Sequence, residues 1–376
     1  MTGNKQELTI IHNDGNPSQR TPVTTLDPLR IRAAKAAYTT RRVPLDRIRT
    51  LVTGAVRPQP GDLVLARVAE IGQHTKLELV SGRRATLYIG DEVVVCYGNR
   101  YAPDQFEAVV PDSLKPCQLV AAGGVAARML CKHTRLKPPT AIAPLGMLAD
   151  THGRRLNLRD YTVRKPLSTR ARPFTVAVVG TAMNAGKTTS AAHLVRGLTR
   201  SGLRVGTAKV TGTGAGGDVW MMSDAGAYEA VDFTDAGYAS TYCAGARQTQ
   251  DILTTLASYL GSLEVETIVL EVADGLLQHE TATLLRSPDF MAHVDGVVFA
   301  ASDAMGAVAG VQWLQRHGVN VLAVSGALTS SPLAVREAEQ GVDLPVLGRH
   351  ELSDPGVAAQ LVVQSSLWRR AAEAAG

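Results

Sequence analysis

Val178-Val179-Gly180-Thr181-Ala182-Met183-Asn184-Ala185-Gly186-Lys187-Thr188-Thr189 is the stretch on which the reading of this chain turns. An apolar run, FTVAVVG, leads into Gly180, and TTSAAHLVRGLTRSG leaves from Thr188 with a helical pattern that ends at Gly202. Gly-Lys-Thr between a buried strand and a helix start is the setting of a phosphate-binding loop. Gly186 lets the backbone approach the phosphates, and successive N–H groups with the helix dipole hold the anionic charge. Lys187 is then placed to reach the β- and γ-phosphates, and Thr188 to offer its hydroxyl to Mg²⁺. The nucleotide-contacting set is Gly180, Thr181, Asn184, Ala185, Gly186, Lys187, Thr188 and Thr189. One departure stands out. The usual G-x-x-x-x-G-K-[ST] spacing puts its first glycine at position 181, which is threonine, and the glycine lies one place earlier at Gly180.

Outward from the loop, apolar runs alternate with amphipathic ones. LRVGTAKV, ETIVLEVA, GVVFAAS and NVLAVSG read as buried strands, and TQDILTTLASYLGS and GAVAGVQWLQRHG as helices. A helix is also expected around LVVQSSLWRRAAEAA. The alternation predicts an α/β fold with a mostly parallel P-loop sheet flanked by helices over residues 174–376.

The threonine-headed loop, G-T-x-x-x-x-G-K-T, resembles that of dethiobiotin synthetase and of the cobyric acid/cobyrinic acid diamide synthase group. The resemblance covers the C-terminal half and implies Mg²⁺·ATP chemistry. It makes Lys209, in GTAKVTGTG, a lysine at the substrate and phosphate edge. It makes Glu271, in TIVLEVADG, the Mg²⁺-holding glutamate, and Asp218 the other acidic ligand. PVLGRHELSDP resembles the segment that passes the nucleotide base. Two differences separate this chain from biotin synthesis. Val272-Ala273-Asp274 replaces a glycine-rich run after the glutamate, and Ser325-Gly326 stands where the synthetase carries a base-reading asparagine.

Physical chemistry reaches part of the same picture. Acidic residues at the C-terminal ends of parallel strands lie over the ligand crevice, and carboxylates are the ligands Mg²⁺ prefers. Asp224 and Asp232 compete with Asp218 for the metal role, because all three lie in the long insert TGTGAGGDVWMMSDAGAYEAVDFTDAGYASTY. That insert is too long for a simple connection, which points to a substrate wall with Asp224, Asp232, Asp235, Arg247 and Asp274 as candidate contacts. An N-K-x-D base-reading motif is absent, which argues against a regulatory GTPase. So is a second lysine before Gly186, which argues against a dimeric partition ATPase.

The N-terminal half has a different texture. GDLVLARVAEIG, TKLELV, ATLYIG and DEVVVCYG are short, β-branched runs punctuated by glycine, as in a small antiparallel barrel or sandwich. LRIRAAKAAYTTRR, ended by Pro44, predicts a basic helix; AAGGVAARML suggests another behind a glycine turn, and PPTAIAPLG an extended segment. The expected division is a flexible tail over 1–25, a basic, mainly β domain over 26–165, a linker over 166–173 and the P-loop domain beyond. Charge divides along the same line. Residues 1–172 hold 27 basic and 14 acidic side chains, net +13, whereas 173–376 hold 12 and 20, net −8. A basic half could serve nucleic acid, but aromatic interleaving is sparse and no binding motif is present, so a solvated face or one guiding an anionic substrate is favoured.

With 45% hydrophobic and 19% charged residues and no apolar run near membrane-spanning length, the composition is that of a globular chain, and a cytoplasmic location is expected. Cys96, Cys117, Cys131 and Cys243 form no CxxC pair. Cys117, Cys131 and His133 lack zinc spacing, so buried thiols are expected. The reading is an ATP-dependent ligase or small-molecule kinase, with Lys187 and Lys209 catalytic, Thr188, Asp218 and Glu271 holding Mg²⁺, and a small-molecule substrate. Neither a membrane nor nucleic acid is an expected partner, and a homodimer stays open. The alternatives are a non-catalytic nucleotide-binding adaptor in cofactor biosynthesis, whose VxGxxxxGKTT loop this also resembles, and a nucleic-acid-associated ATPase.

Overall fold

The computed structural model describes residues 21–164 and 172–363, which form two compact units. One contains the chain up to Thr162 together with Thr213–Gly216 and Gly237–Tyr242; the other contains Val163–Gly212, Gly217–Ala236 and the chain from Cys243 onward. Residues 1–20 of the expected tail, 166–171 of the expected linker and 364–376 of the terminal helix lie outside the described residues. The described parts of those segments are ordered elements. Val23–Thr25 is a strand paired with Thr50–Val52, the Arg172 guanidinium makes a two-pronged ion pair with Asp295, and residues 355–363 are helical.

In the first unit, five strands close on themselves. Thr140–Ala149 pairs with Leu63–Glu70, which pairs with Glu92–Tyr97; that strand meets Val125–Lys132 in parallel, and Cys117–Ala121 completes the ring back to Thr140–Ala149. Every other pairing in the ring is antiparallel. Alternate residues Val64, Ala66 and Val68, with Val93, Val95 and Tyr97, fill the interior alongside Leu119, Ala126 and Ile142. The residues between them, Leu63, Leu65, Val94 and Cys96, are also buried, under Leu26, Ile31, Val43 and Ile48. Burial on both faces explains why GDLVLARV and EVVVCY read as near-continuous apolar runs rather than alternating ones.

Of the two helices expected here, the first is cut short and the second is absent. Only Pro28–Ala33 is helical, begun by Asp27, whose carboxylate accepts the Leu29 N–H at 2.8 Å. Lys35–Ala36 instead pairs in parallel with Val93–Val94, and Tyr38–Thr40 forms a 3₁₀ turn. Ladder bonds and burial outweigh the few tenths of a kcal/mol per residue that favour helix in an alanine-rich segment. In AAGGVAARML the glycines make a hairpin turn, with Gly124 at φ +101°, and Val125–Lys132 is a strand. PPTAIAPLG is extended, as its composition implies.

The second unit is a six-stranded, wholly parallel sheet in the order Glu229–Asp232, Val205–Lys209, Thr267–Glu271, Phe174–Gly180, Gly296–Ala300, Val321–Ser325. Val176 to Val179 are all fully buried, since helices cover both faces. The P-loop strand, Phe174–Gly180, sits between the strand ending in Glu271 and the strand Gly296–Ala300. The connection leaving it runs toward one edge of the sheet and that leaving Gly296–Ala300 toward the other, which opens a crevice at the C-terminal ends of these two strands. The helix Gly217–Asp224 and the strand Glu229–Asp232 lie within the glycine-rich insert and had no clear periodic signature. Among the described residues, no helix is long and apolar enough to cross a membrane.

Cys96 and Cys117 are buried, and burial pushes both thiols up to about 12, whereas Cys131 and Cys243 are exposed, contrary to the expectation of buried thiols for Cys131. A thiol reagent at pH 8 is expected to modify Cys131 and Cys243 in the folded protein and to reach Cys96 and Cys117 only on denaturation, as read by mass spectrometry.

His74 packs edge-on against Phe106, and burial, helped by the Arg100 charge, pushes its pKa down to about 4. The folded protein therefore resists a proton that the unfolded chain accepts below about pH 6.5. This contribution is intact above pH 6.5 and is lost as pH falls toward 4, by roughly 3 kcal/mol. Urea unfolding across that window is expected to show a shallower pH dependence for His74→Gln than for the wild type.

Candidate functional site

The loop is shaped by three close approaches. Lys187 opens the helix Lys187–Arg200, and its side chain folds back so that Nζ donates to the Ala182 carbonyl at 2.8 Å. The returning stem passes Gly180, where a Cβ would lie 2.9 Å from Lys187 Cγ and 2.8 Å from the Ala300 carbonyl oxygen. This is the physical reason for glycine at position 180. Gly186 caps the helix at φ +95°, and a Cβ there would meet the Ala327 N at 2.9 Å. Beneath the loop, the Ala327 N–H donates to the Ala185 carbonyl at 2.9 Å, and Gly326 leaves room for that contact. The first helix turn has backbone N–H groups that no preceding turn can satisfy, and they form the anion-binding end.

Beside the loop lies a cluster of charge. Glu271 ends its strand with 2% exposure. Its Oε1 accepts from the Thr188 hydroxyl at 3.0 Å and from Lys209 Nζ at 3.3 Å, while its Oε2 is buried with no hydrogen-bond partner. Lys209 ends the adjacent strand, in register with Glu271, and is also ion-paired with Asp218 in the first turn of the helix Gly217–Asp224. The corner after Glu271 is held by two buried hydroxyls, since Thr211 and Thr281 both donate to the Ala273 carbonyl. Gly275 follows, where a Cβ would lie 2.2 Å from the Thr181 carbonyl oxygen.

Burial shapes the proton affinities. It lowers that of Lys187, which Lys209 lowers further while Glu271 and Asp274 oppose the change. Burial also works against the Lys209 charge, but Glu271 and Asp218 outweigh it and hold its pKa above the ordinary lysine value. For Glu271 burial is the largest influence and pushes the carboxyl up, against the pull of Lys209.

The structure thus brings together Lys187, Thr188, Lys209, Asp218 and Glu271, with Asp274 within electrostatic reach of Lys187. Asp232 ends its strand beside Lys209 in register, yet its carboxylate accepts from the Thr234 N–H at 2.7 Å within a turn. Asp235 accepts the Asp232 N–H in the same turn. Asp224 and Arg247 are exposed, at the end of one helix and the start of another. Ser325 hydrogen-bonds Ser190 at 3.0 Å, both buried, so it serves packing under the helix. Arg349–Ser353 is a short helix against the loop helix, where the Ser353 hydroxyl lies 2.7 Å from His193 Nδ1. Thr211, Thr281 and Gly275 had no motif to mark them.

A Mg²⁺ ion fits this donor set. The unpartnered Glu271 Oε2 and the neighbouring Thr188 hydroxyl are hard oxygen ligands. No group of three or more His, Cys, Asp or Glu side chains forms a closed metal cage among the described residues.

The second unit therefore has a nucleotide-binding P-loop fold, defined by the loop, its strand and its helix. No family model matches the chain, and no curated protein matches it in sequence. Solved structures similar to it include the signal recognition particle receptor FtsY from Elizabethkingia anophelis, with 15% identity over 55% of this chain and 75% of that one, at a TM-score of 0.34. The cell division protein FtsY from Thermotoga maritima has 14% identity over 55% and 74%, at 0.32. The signal recognition particle 54 kDa protein from Aeropyrum pernix, in complex with GDP, has 17% identity over 56% and 53%, at 0.34. At these scores the likeness carries no argument about activity.

Gly180→Ala forces the Lys187 stem aside and is expected to weaken nucleotide binding at least about tenfold, with a stability cost of about 1–3 kcal/mol. Gly202→Ala, at φ +92° with open space around it, is expected to cost about 1 kcal/mol and leave affinity unchanged. Fluorescent-nucleotide titration with urea unfolding separates the two effects.

Proposed function

We propose that this chain is a Mg²⁺·ATP-dependent enzyme that transfers a phosphoryl group to a small-molecule carboxylate or carbamate, activating it for ligation or ring closure. The observation that carries this reading is a second, partly buried lysine, Lys209, ion-paired to Glu271 and within electrostatic reach of the P-loop lysine. Binding a nucleotide needs the loop alone. A further, partly buried cation beside it supports stabilisation of charge that moves during transfer. Of the two differences from biotin synthesis, Val272-Ala273-Asp274 after the glutamate points to a different acceptor.

In this scheme the loop amides and Lys187 hold the β- and γ-phosphates, and Thr188, Glu271 and Asp218 hold the metal. Mg²⁺ supplies charge neutralisation and orientation of the phosphates. An oxygen of the acceptor carboxylate attacks the γ-phosphorus, and the bond from that phosphorus to the β,γ-bridging oxygen breaks. ADP leaves with the electron pair, and a mixed acyl-phosphate anhydride forms. Lys187 and Lys209 stabilise the transferred charge. Phosphate leaves when a nucleophile attacks the activated carbonyl.

ADP release measured against pools of small carboxylic acids and amines is expected to rise with the true acceptor. Lys187→Ala is expected to lower turnover by about 100-fold or more; unchanged turnover in that variant would overturn the assignment. Stoichiometric ATP binding without turnover, together with a co-purifying protein, would favour a nucleotide-binding adaptor, and stimulation by DNA or RNA a nucleic-acid-associated ATPase.

A further inference from the structure

We propose that the Lys209 ammonium is a tethered counter-ion that holds the metal position closed in the resting protein and leaves it when metal and triphosphate arrive together. The inference rests on the phosphoryl-transfer reading above and adds a device to the same site. Lys209 bridges two carboxylates from separate elements, Asp218 on the helix Gly217–Asp224 and Glu271 at its strand end. Those are the acidic groups a divalent cation would draw on. The oxygen of Glu271 that meets Lys209 is also the one that accepts from Thr188, so the hydroxyl and the carboxylate are occupied with each other and with the ammonium. An independent observation points to a missing ligand. Glu271 Oε2 is buried and has no partner, which a lysine on Oε1 leaves uncorrected and a bound cation would satisfy.

A small space adjoins the ammonium. A cavity of about 10 Å³, roughly the room one water requires, is lined by Lys209, Asp218, Glu271, Thr207, Met222 and Val269. Lysine is a point charge on a flexible four-carbon stem with no fixed bonding plane, so its head can swing while its strand stays in register. Displacing it costs two ion pairs unless the ammonium finds another anion, and the γ-phosphate of a bound triphosphate is such an anion. Metal alone then binds weakly, and metal with triphosphate binds strongly and cooperatively. The same movement carries positive charge toward the phosphoryl group at the moment it is needed.

The test is Mn²⁺ binding, followed by electron paramagnetic resonance without nucleotide. The wild type is expected to bind Mn²⁺ weakly, Lys209→Met at least about tenfold more tightly, and Lys209→Met with Glu271→Gln weakly again. No tightening in Lys209→Met would overturn the inference. A second measurement needs no variant that must fold: a crystal structure of the wild type with Mn²⁺ and a non-hydrolysable ATP analogue. Lys209 Nζ is expected beyond hydrogen-bond reach of Glu271, with Mn²⁺ on that carboxylate. Bound Mn²⁺·ATP with Lys209 still on Glu271 would overturn this inference alone, whereas no binding of Mn²⁺·ATP would overturn the underlying reading and this inference with it.

Discussion

A carboxylate buried at the end of a central strand imposes the heaviest constraint on the nucleotide-binding unit. Glu271 is nearly inaccessible to water, and an uncompensated charge there would cost several kcal/mol. Thr188, Lys209 and, through Lys209, Asp218 provide the compensation. Those partners come from the loop helix, the neighbouring strand and the insert helix, so one charge couples three segments distant in sequence. Removing Lys209 would leave that buried charge in low dielectric without its counter-ion. A stability element of that kind, placed over the crevice of a parallel sheet, is also where chemistry is expected.

The loop beside it depends on close backbone approach rather than charge. Gly180, Gly275 and Gly326 each stand where a single methyl group would meet a carbonyl oxygen within 2.8 Å. Together they let the loop, the corner after Glu271 and the chain after the last strand nest in one small volume. The Thr211 and Thr281 hydroxyls hold the middle layer by a shared carbonyl. The site is thus pre-shaped by packing.

The barrel unit is built on another plan, a short-stranded ring with apolar residues on both sides of its walls. The insert that carries Asp218 joins it twice, at Thr213–Gly216 and Gly237–Tyr242, and Glu78, buried in that unit, accepts the Gly216 N–H at 2.9 Å. Gly216 is two residues from Asp218 in the chain.

The P-loop, its strand and its helix were legible in the residues because all three are contiguous, and a parallel sheet buried on both faces writes unbroken apolar runs. Two of the five ring strands, Leu63–Glu70 and Glu92–Tyr97, were legible from β-branched runs cut by glycine, whereas Val125–Lys132 was expected as a helix and Cys117–Ala121 showed no signal. The helix expected through Lys35–Arg42 was not borne out, since an alanine-rich segment has only a weak preference of its own and a waiting strand edge at Val93–Val94 outbid it. The insert hid a helix and a strand, because Glu229–Asp232 is four residues long and too short to show a period. Contiguous signals such as loop chemistry and strand burial are local, and the chain carries them openly. The ion-paired group of Lys209, Asp218 and Glu271 depends on which strands lie side by side, on which oxygen each donor reaches and on which oxygen is left without a partner. Those are properties of distance in space, and they exist only once the sheet has formed.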